Sequence, residues 1–250
     1  MRIIATVLLE KDYVIQTYSY SEKKVIGKPK VVIKHLDEWQ IDEIVLIQTD
    51  NNIDFLYKNI DSILENCSTP LTVGGGINST SCATNLIKRG ADRVCLQRLI
   101  FDNINEIYRI AEKIGGQAIT MKIDVDTNSK KIRSICKDLK FLKDFFNQNT
   151  EELINNNISD LFFYNVTADG MCEIPKFDFL KSFDLSQFSL ILGGGIIPTM
   201  TEEIWKYWFP RAEDLSISFS NYLYQKEVAN REILEKLNRL NNCNYRILIN

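Results

Sequence analysis

The sequence predicts one α/β domain, a (β/α)8 TIM barrel assembled from two repeated half-barrels. Three observations carry this. The first is Leu71-Thr72-Val73-Gly74-Gly75-Gly76-Ile77, a short apolar run with β-branched residues stopped by three glycines. Such a run reads as a buried parallel strand entering a loop without side chains. The second is its recurrence as Leu190-Ile191-Leu192-Gly193-Gly194-Gly195-Ile196, with Gly74 and Gly193 119 positions apart in a chain of 250. A half-chain spacing marks a duplicated unit. The third is the alternation of strand-like and helix-like segments, which calls for a parallel sheet. A doubly wound open sheet also alternates, but it predicts no half-chain repeat.

The elements follow in order. Residues 2–9 read as a buried strand, and the polar stretch 10–30, with Gly27 and Pro29, as a loop over one end of the sheet. Val31, Val32, His35, Leu36 and Trp39 have helical spacing, giving a helix over 29–40. A strand over 41–47 and a helix over 53–66 follow, then the first glycine strand at 71–74. A helix over 79–89 stops at Arg89-Gly90, and a strand over 92–96 precedes a helix over 103–114 that stops at Gly115-Gly116. In the second half, strands are expected at 117–123, 160–166, 189–193 and 214–218. Helices are expected near 138–156, 176–183, 200–208 and 225–240. The polar segment 126–137 reads as an inserted hairpin. The whole chain, 1–250, is then one barrel with halves of about 1–116 and 117–240.

Composition narrows the function. Net charge is −3 and 45% of residues are hydrophobic, so a large core can form and no nucleic-acid partner is implied. No apolar run is long enough to span a membrane and no leader is evident, which makes a cytoplasmic protein the expectation. Six cysteines, at 67, 82, 95, 136, 172 and 243, include no C-x-x-C pair and read as reduced, mostly buried thiols. The single histidine, His35, argues against a histidine metal site; no metal and no cofactor are expected.

The repeat also places candidate site residues. Ile3 to Leu8 aligns with Ile119 to Asp124, Ile41 to Leu46 with Ile158 to Phe163, and Asp92 with Asp214. Barrel active sites lie at the C-terminal ends of the strands. Asp124 emerges there from an apolar strand and is a candidate acid or base, whereas the matching position holds Leu8. Glycine loops let backbone approach a ligand and present N–H groups to an anion. Two of them across a barrel mouth could hold two phosphates of one substrate; tight backbone packing is the competing explanation.

Several of these segments resemble the cyclase subunit of imidazole glycerol phosphate synthase. They are Arg2-Ile3-Ile4, Ile41-Asp42-Glu43, Pro70 to Ile77, Arg89 to Val94, Gly116 to Ile119, and Ile123-Asp124. The resemblance is strong from 69 to 124 and looser after 130. It implies a two-fold repeated barrel that takes ammonia from a glutaminase partner and uses it in a lyase and cyclisation reaction on a substrate with two phosphates. Residue by residue, it implies catalysis by Asp124 and Asp169. It implies phosphate binding at Gly75, Gly76, Arg98, Gly170, Gly194, Gly195 and Ser220. It implies an ammonia gate of Arg2, Glu43, Arg93 and Asp160, and a glutaminase contact at Asp92.

Departures are equally informative. Leu8 replaces the family's first catalytic aspartate, Gln16 stands for a loop lysine, and Thr167-Ala168-Asp169-Gly170 has lost one carboxylate. Leucine cannot move a proton. Val7-Leu8-Leu9, Val14 to Thr17 and Val25 to Pro29 resemble the branch of barrels paired with sugar amidotransferases in bacterial surface-polysaccharide synthesis. The first expectation is therefore an ammonia-accepting barrel in a glutamine-dependent complex, acting on a phosphorylated or sugar substrate. The alternatives are the histidine-pathway cyclase itself and a catalytically silent scaffold that activates its glutaminase.

Overall fold

The computed structural model describes residues 2–39, 41–65, 67–135, 137–225 and 229–240. Eight parallel strands form its centre: β1 (Ile3–Glu10), β2 (Glu43–Gln48), β3 (Leu71–Gly74), β4 (Arg93–Leu96), β5 (Ile119–Asp126), β6 (Asp160–Asn165), β7 (Ser189–Gly193) and β8 (Asp214–Phe219). Each pairs with the next, and β8 returns to β1 through Ile3 opposite Ile217, so the sheet closes. The expected (β/α)8 barrel is the observed fold. The register reproduces the half-barrel alignment: Leu8 pairs with Ile47, and its counterpart Asp124 with Tyr164.

Period-two alternation along the strands builds two cores. Residues such as Ile3, Ala5, Val7 and Leu9 face outward and join the helices in the larger cluster. Ile4, Leu8, Val45, Ile47, Cys95, Phe162, Tyr164 and Ile191 fill the barrel interior as a separate cluster. The helices obey local capping rules. Pro29 opens Pro29–Glu38, the Asn52 side chain accepts from the Asp54 and Phe55 amides, Ser79 accepts from the Cys82 amide, and Asp138 accepts from the Phe141 amide.

Three expectations need correction. The stretch 10–30 is not a loop but an antiparallel hairpin, Tyr13–Tyr18 with Glu22–Gly27, that extends the β1 ladder through Leu8–Ile15. Its β-branched and aromatic residues favour a strand, and Ser19 (φ 49°) and Tyr20 (φ 57°) make the tight turn. The segment 176–183 forms only a 3-10 turn, Asp178–Ser182. Phe179 and Phe183 anchor it by ring contacts to Phe163 and Phe146, so packing holds it without a full helix. The inserted hairpin is present, as Lys131–Ile132 and Lys137–Asp138 beside β5. The thiols are not mostly buried. Of the four described cysteines only Cys95 is buried, while Cys136 and Cys243 lie outside the described residues. Among the described residues no helix is long and apolar enough to cross a membrane.

The glycine triplets have a structural cause that repeats between halves. Gly75 (φ 103°) would place a Cβ 2.1 Å from the Gln48 carbonyl oxygen, and Gly194 (φ 95°) one 2.2 Å from that of Asn165. In each half the loop after the third strand crosses against the loop after the second. Left-handed backbone and close approach both demand glycine there. Gly75→Ala and Gly194→Ala should each cost about 2–4 kcal/mol, lowering Tm by roughly 5–15 °C. Thermal melts of the two variants check this; two unchanged melting points would refute the crossing-loop explanation.

Candidate active site

The C-terminal mouth holds a cavity of about 600 Å³. Its floor is β5. Lys122 and Asp124 are two residues apart, so both point inward. Lys122 is only 1% exposed, and its ammonium contacts Asp124 Oδ1 while lying 4.8 Å from the Tyr164 ring centre and 5.6 Å from that of Phe162. The second Asp124 oxygen accepts from Gln97 Nε2 at 2.7 Å. The charged residues lining the cavity are Lys23, Arg98, Lys122 and Arg133 against Asp102 and Asp124, a balance that suits an anion. Cys95 also lines it, and burial pushes its thiol up to about 12, which keeps it neutral.

Gly75, Gly76 and Arg98 sit on one wall of this cavity. Arg98 is largely exposed, with Nε 2.9 Å from Asp102, so it can swing toward a ligand. The other half of the expected anion site is arranged differently. Gly170, Gly194, Gly195 and Ser220 are outside the cavity lining. A Cβ on Gly170 would meet the Asn221 amide, the Thr17 carbonyl and the Tyr18 ring, because the first hairpin packs on it. Ser19 N–H donates to the Asp169 carbonyl at 2.8 Å, Ser19 Oγ to the Thr167 carbonyl at 3.0 Å, and Asn221 Nδ2 to the Thr17 carbonyl. The hairpin thus covers the loop after β6.

Asp169 lies beneath that cover and is fully buried. Its carboxylate accepts from the hydroxyls of Thr17 and Tyr164. It does not itself line the cavity, but Thr17, which bonds it, does, and Lys122 acts on it electrostatically, so it stands one layer behind the wall that Asp124 faces. Burial raises the Asp169 pKa, and the bonds from Thr17 and Tyr164 only partly oppose this. Leu8, in the place of the missing aspartate, is 2% exposed in the apolar interior cluster with Ile15 and Ile47. Gln16 is buried on the hairpin.

At the opposite end of the barrel the four expected gate residues meet. Arg2 donates to Glu43 at 2.9 Å and to Asp160 at 3.2 Å; Arg93 pairs with Asp160 and lies 4.0 Å from Glu43. Burial disfavours the Arg2 charge, but Asp160 and Glu43 outweigh it and raise its pKa. The remaining Glu43 oxygen accepts from Thr72 Oγ1 at 2.5 Å. Asp92 is on the same face, where its carboxylate accepts the Leu71 amide at 2.7 Å and trims the start of β3.

Comparison with known proteins gives the family. The profile of the family described as "Histidine biosynthesis protein" matches residues 2–202. The chain belongs to that family. Subunit hisF2 of Vibrio vulnificus, provisionally named as an imidazole glycerol phosphate synthase subunit, is 32% identical over 127 residues, 50% of this chain and 47% of its own. Imidazole glycerol phosphate synthase subunit HisF of an Exiguobacterium strain is 31% identical over 127 residues, half of each chain. That of a Thermotoga strain is 30% identical over 126 residues. The matched stretch spans about half the length of these curated relatives.

Lys122, Tyr164, Tyr20 and Arg133 escaped sequence reasoning. Lys122 was legible, since a lysine two positions before Asp124 in an apolar strand must share its face. Tyr20 and Arg133 were not, because both reach the mouth from hairpins: the Arg133 guanidinium lies 5.2 Å from the Tyr20 ring centre. One expectation concerns Asp169. Its folded pKa is raised above 3.8, so the wild type loses stability as pH rises through that value. Asp169→Asn removes this loss. The Tm difference, variant minus wild type, should therefore grow from about pH 4 to about pH 8. A difference that shrinks over that range would mean the charged form is favoured in the fold.

Proposed function

We propose that this chain is the barrel subunit of a glutamine-dependent complex. It receives ammonia from a glutaminase partner at the N-terminal end and delivers it to a phosphorylated or sugar substrate at the mouth. One observation carries the reading. A closed four-charge ring stands at one end of the barrel, and a cation-rich cavity floored by Lys122 and Asp124 stands at the other. Between them the interior is partly polar, with Thr6 and Ser218 hydroxyls 2.6 Å apart and Thr72 bound to Glu43. Neutral ammonia can pass hydroxyls that it can hydrogen-bond, whereas the ring of paired charges limits entry to times when a partner disturbs it.

The names of the relatives favour a second reading, the imidazole glycerol phosphate synthase cyclase of histidine biosynthesis, which is a lyase. Against it stands Leu8, packed in an apolar cluster where the cyclisation would need a second carboxylate. The leucine, with the hairpin strand Tyr13–Tyr18, supports placing the chain in surface-polysaccharide synthesis beside a sugar amidotransferase. Expression in a strain lacking the histidine cyclase separates the readings. No growth without histidine is expected; growth would overturn the placement. A silent scaffold, the third reading, makes no use of Asp124 or the cavity.

Coupling between glutamine hydrolysis and product formation tests the relay. Glu43→Ala leaves Arg2 and Arg93 with fewer counter-charges, and like charges should spread the ring. Glutamate release should continue while product per glutamate falls. Arg2→Ala should act in the same direction. Asp124→Asn should lower product formation by about 10²–10⁴-fold if the mouth performs proton transfer, and should leave product per glutamate unchanged if the barrel only relays ammonia. Normal coupling in both ring variants would refute the gate.

A further inference from the structure

We infer that Lys122 is an imine-forming lysine, and that the ligand of the mouth is a phosphorylated aldehyde or ketone. The inference rests on the ammonia-receiving reading for its second half only.

The duplicated half supplies the comparison. In the first half-barrel, the positions of Lys122 and Asp124 hold Thr6 and Leu8. Thr6 is fully buried and bonded to Ser218, and Leu8 packs in the interior cluster. The barrel interior therefore packs without an ion pair at this level. Burying two charges is expensive, and well-packed apolar residues serve stability as well or better. The pair in the second half answers to something other than folding.

Its surroundings select the chemistry. The amine is a nucleophile on the floor of an otherwise open cavity, and the Tyr164 and Phe162 rings lie 4.8 and 5.6 Å from it behind the lining. A carboxylate touches it, held from its other side by Gln97. The same cavity carries Gly75, Gly76 and Arg98, suited to a phosphate. A lysine beside an acid–base group and an anion cradle is the constellation for capturing a phosphorylated carbonyl compound.

The step balances without an oxidant. The Lys122 ammonium gives a proton to Asp124, and the freed amine attacks the carbonyl carbon. A proton moves from nitrogen to the new alkoxide, giving a carbinolamine. Asp124 protonates the hydroxyl, which leaves as water, and a protonated imine to Lys122 remains beside the restored carboxylate. Ammonia arriving along the barrel then adds to the imine carbon. After proton transfer to the lysine nitrogen, the Lys122 amine leaves, and the substrate departs as its own iminium. Attack on a protonated imine is easier than attack on a carbonyl, which gives the relay a reason to end at this residue.

The test uses the full chain alone, with glyceraldehyde 3-phosphate as probe and cyanoborohydride as trap, followed by peptide mapping. Trapping should add to residue 122 the mass of the aldehyde less one oxygen. Inorganic phosphate and Arg98→Ala should each reduce that adduct, and Lys122→Arg should remove one adduct per chain. Should Lys122→Arg fail to fold, the wild-type map with and without phosphate still decides. Adducts confined to exposed lysines, or an adduct at Lys122 indifferent to phosphate, would overturn the inference. Because no glutaminase is present, failed trapping with intact glutamine coupling removes the imine alone. Trapping with absent coupling removes the ammonia reading and leaves the imine.

Discussion

Closing eight strands into a barrel puts every inward side chain where water is scarce, and a charge persists there only with a partner. The charged positions of this interior obey that constraint. Arg2, Glu43, Arg93 and Asp160 neutralise one another at the N-terminal end. Lys122 and Asp124 do so beneath the mouth. Asp169, fully buried, has hydroxyl donors from Thr17 and Tyr164 but no cation in direct contact among the described residues, and burial outweighs these bonds and the Lys122 charge, so its carboxyl is harder to ionise. The proposed function rests on this map of charges: one closed ring, one Lys122–Asp124 pair, and one covered carboxyl behind the mouth.

Duplication makes the molecule its own control. The crossing loops after the second and third strands of each half are superposable in their logic, with glycines at nearly the same backbone angles, 103° and 76° at Gly75 and Gly76, 95° and 75° at Gly194 and Gly195. What differs is what lies above them. The hairpin from Tyr13 to Gly27 leans across to the loop after β6 and covers that side, so only the Gly75–Gly76 side opens on the cavity. A two-fold scaffold has become a one-sided mouth through one local element.

Much of this was legible from the chain. The glycine triplets announced the repeat, and positions matched between the halves take equivalent places in the sheet, Leu8 beside Ile47 and Asp124 beside Tyr164. The four ring charges could be placed only through the resemblance to the cyclase family, since charges at strand starts are common and do not by themselves announce a ring. The hairpin was not legible, because a polar stretch with Gly27 and Pro29 looks like a loop until its partner strand is known. That failure propagated. The burial of Asp169 and the cover on Gly170 depend on where the hairpin leans, which no local pattern encodes. Lys122 is a different case: strand alternation alone puts it on the same face as Asp124, so its place in the interior is legible in the sequence.

The central claim is that nitrogen enters at the ring and reacts at the Lys122–Asp124 pair without meeting bulk water. Isotope tracing tests it most directly. The chain with the proposed glutaminase would turn over glutamine labelled with heavy nitrogen in the amide, in a large excess of unlabelled ammonium, with a phosphorylated carbonyl acceptor and a hydride reductant to fix the product amine. With cyanoborohydride in place of borohydride, which spares the carbonyl acceptor, and after subtraction of the amine formed in solution by a glutaminase-free control, the account predicts that the enzymatic product carries the heavy isotope. Product carrying mainly the bulk isotope would contradict it, since the nitrogen would then have come from solution at the mouth.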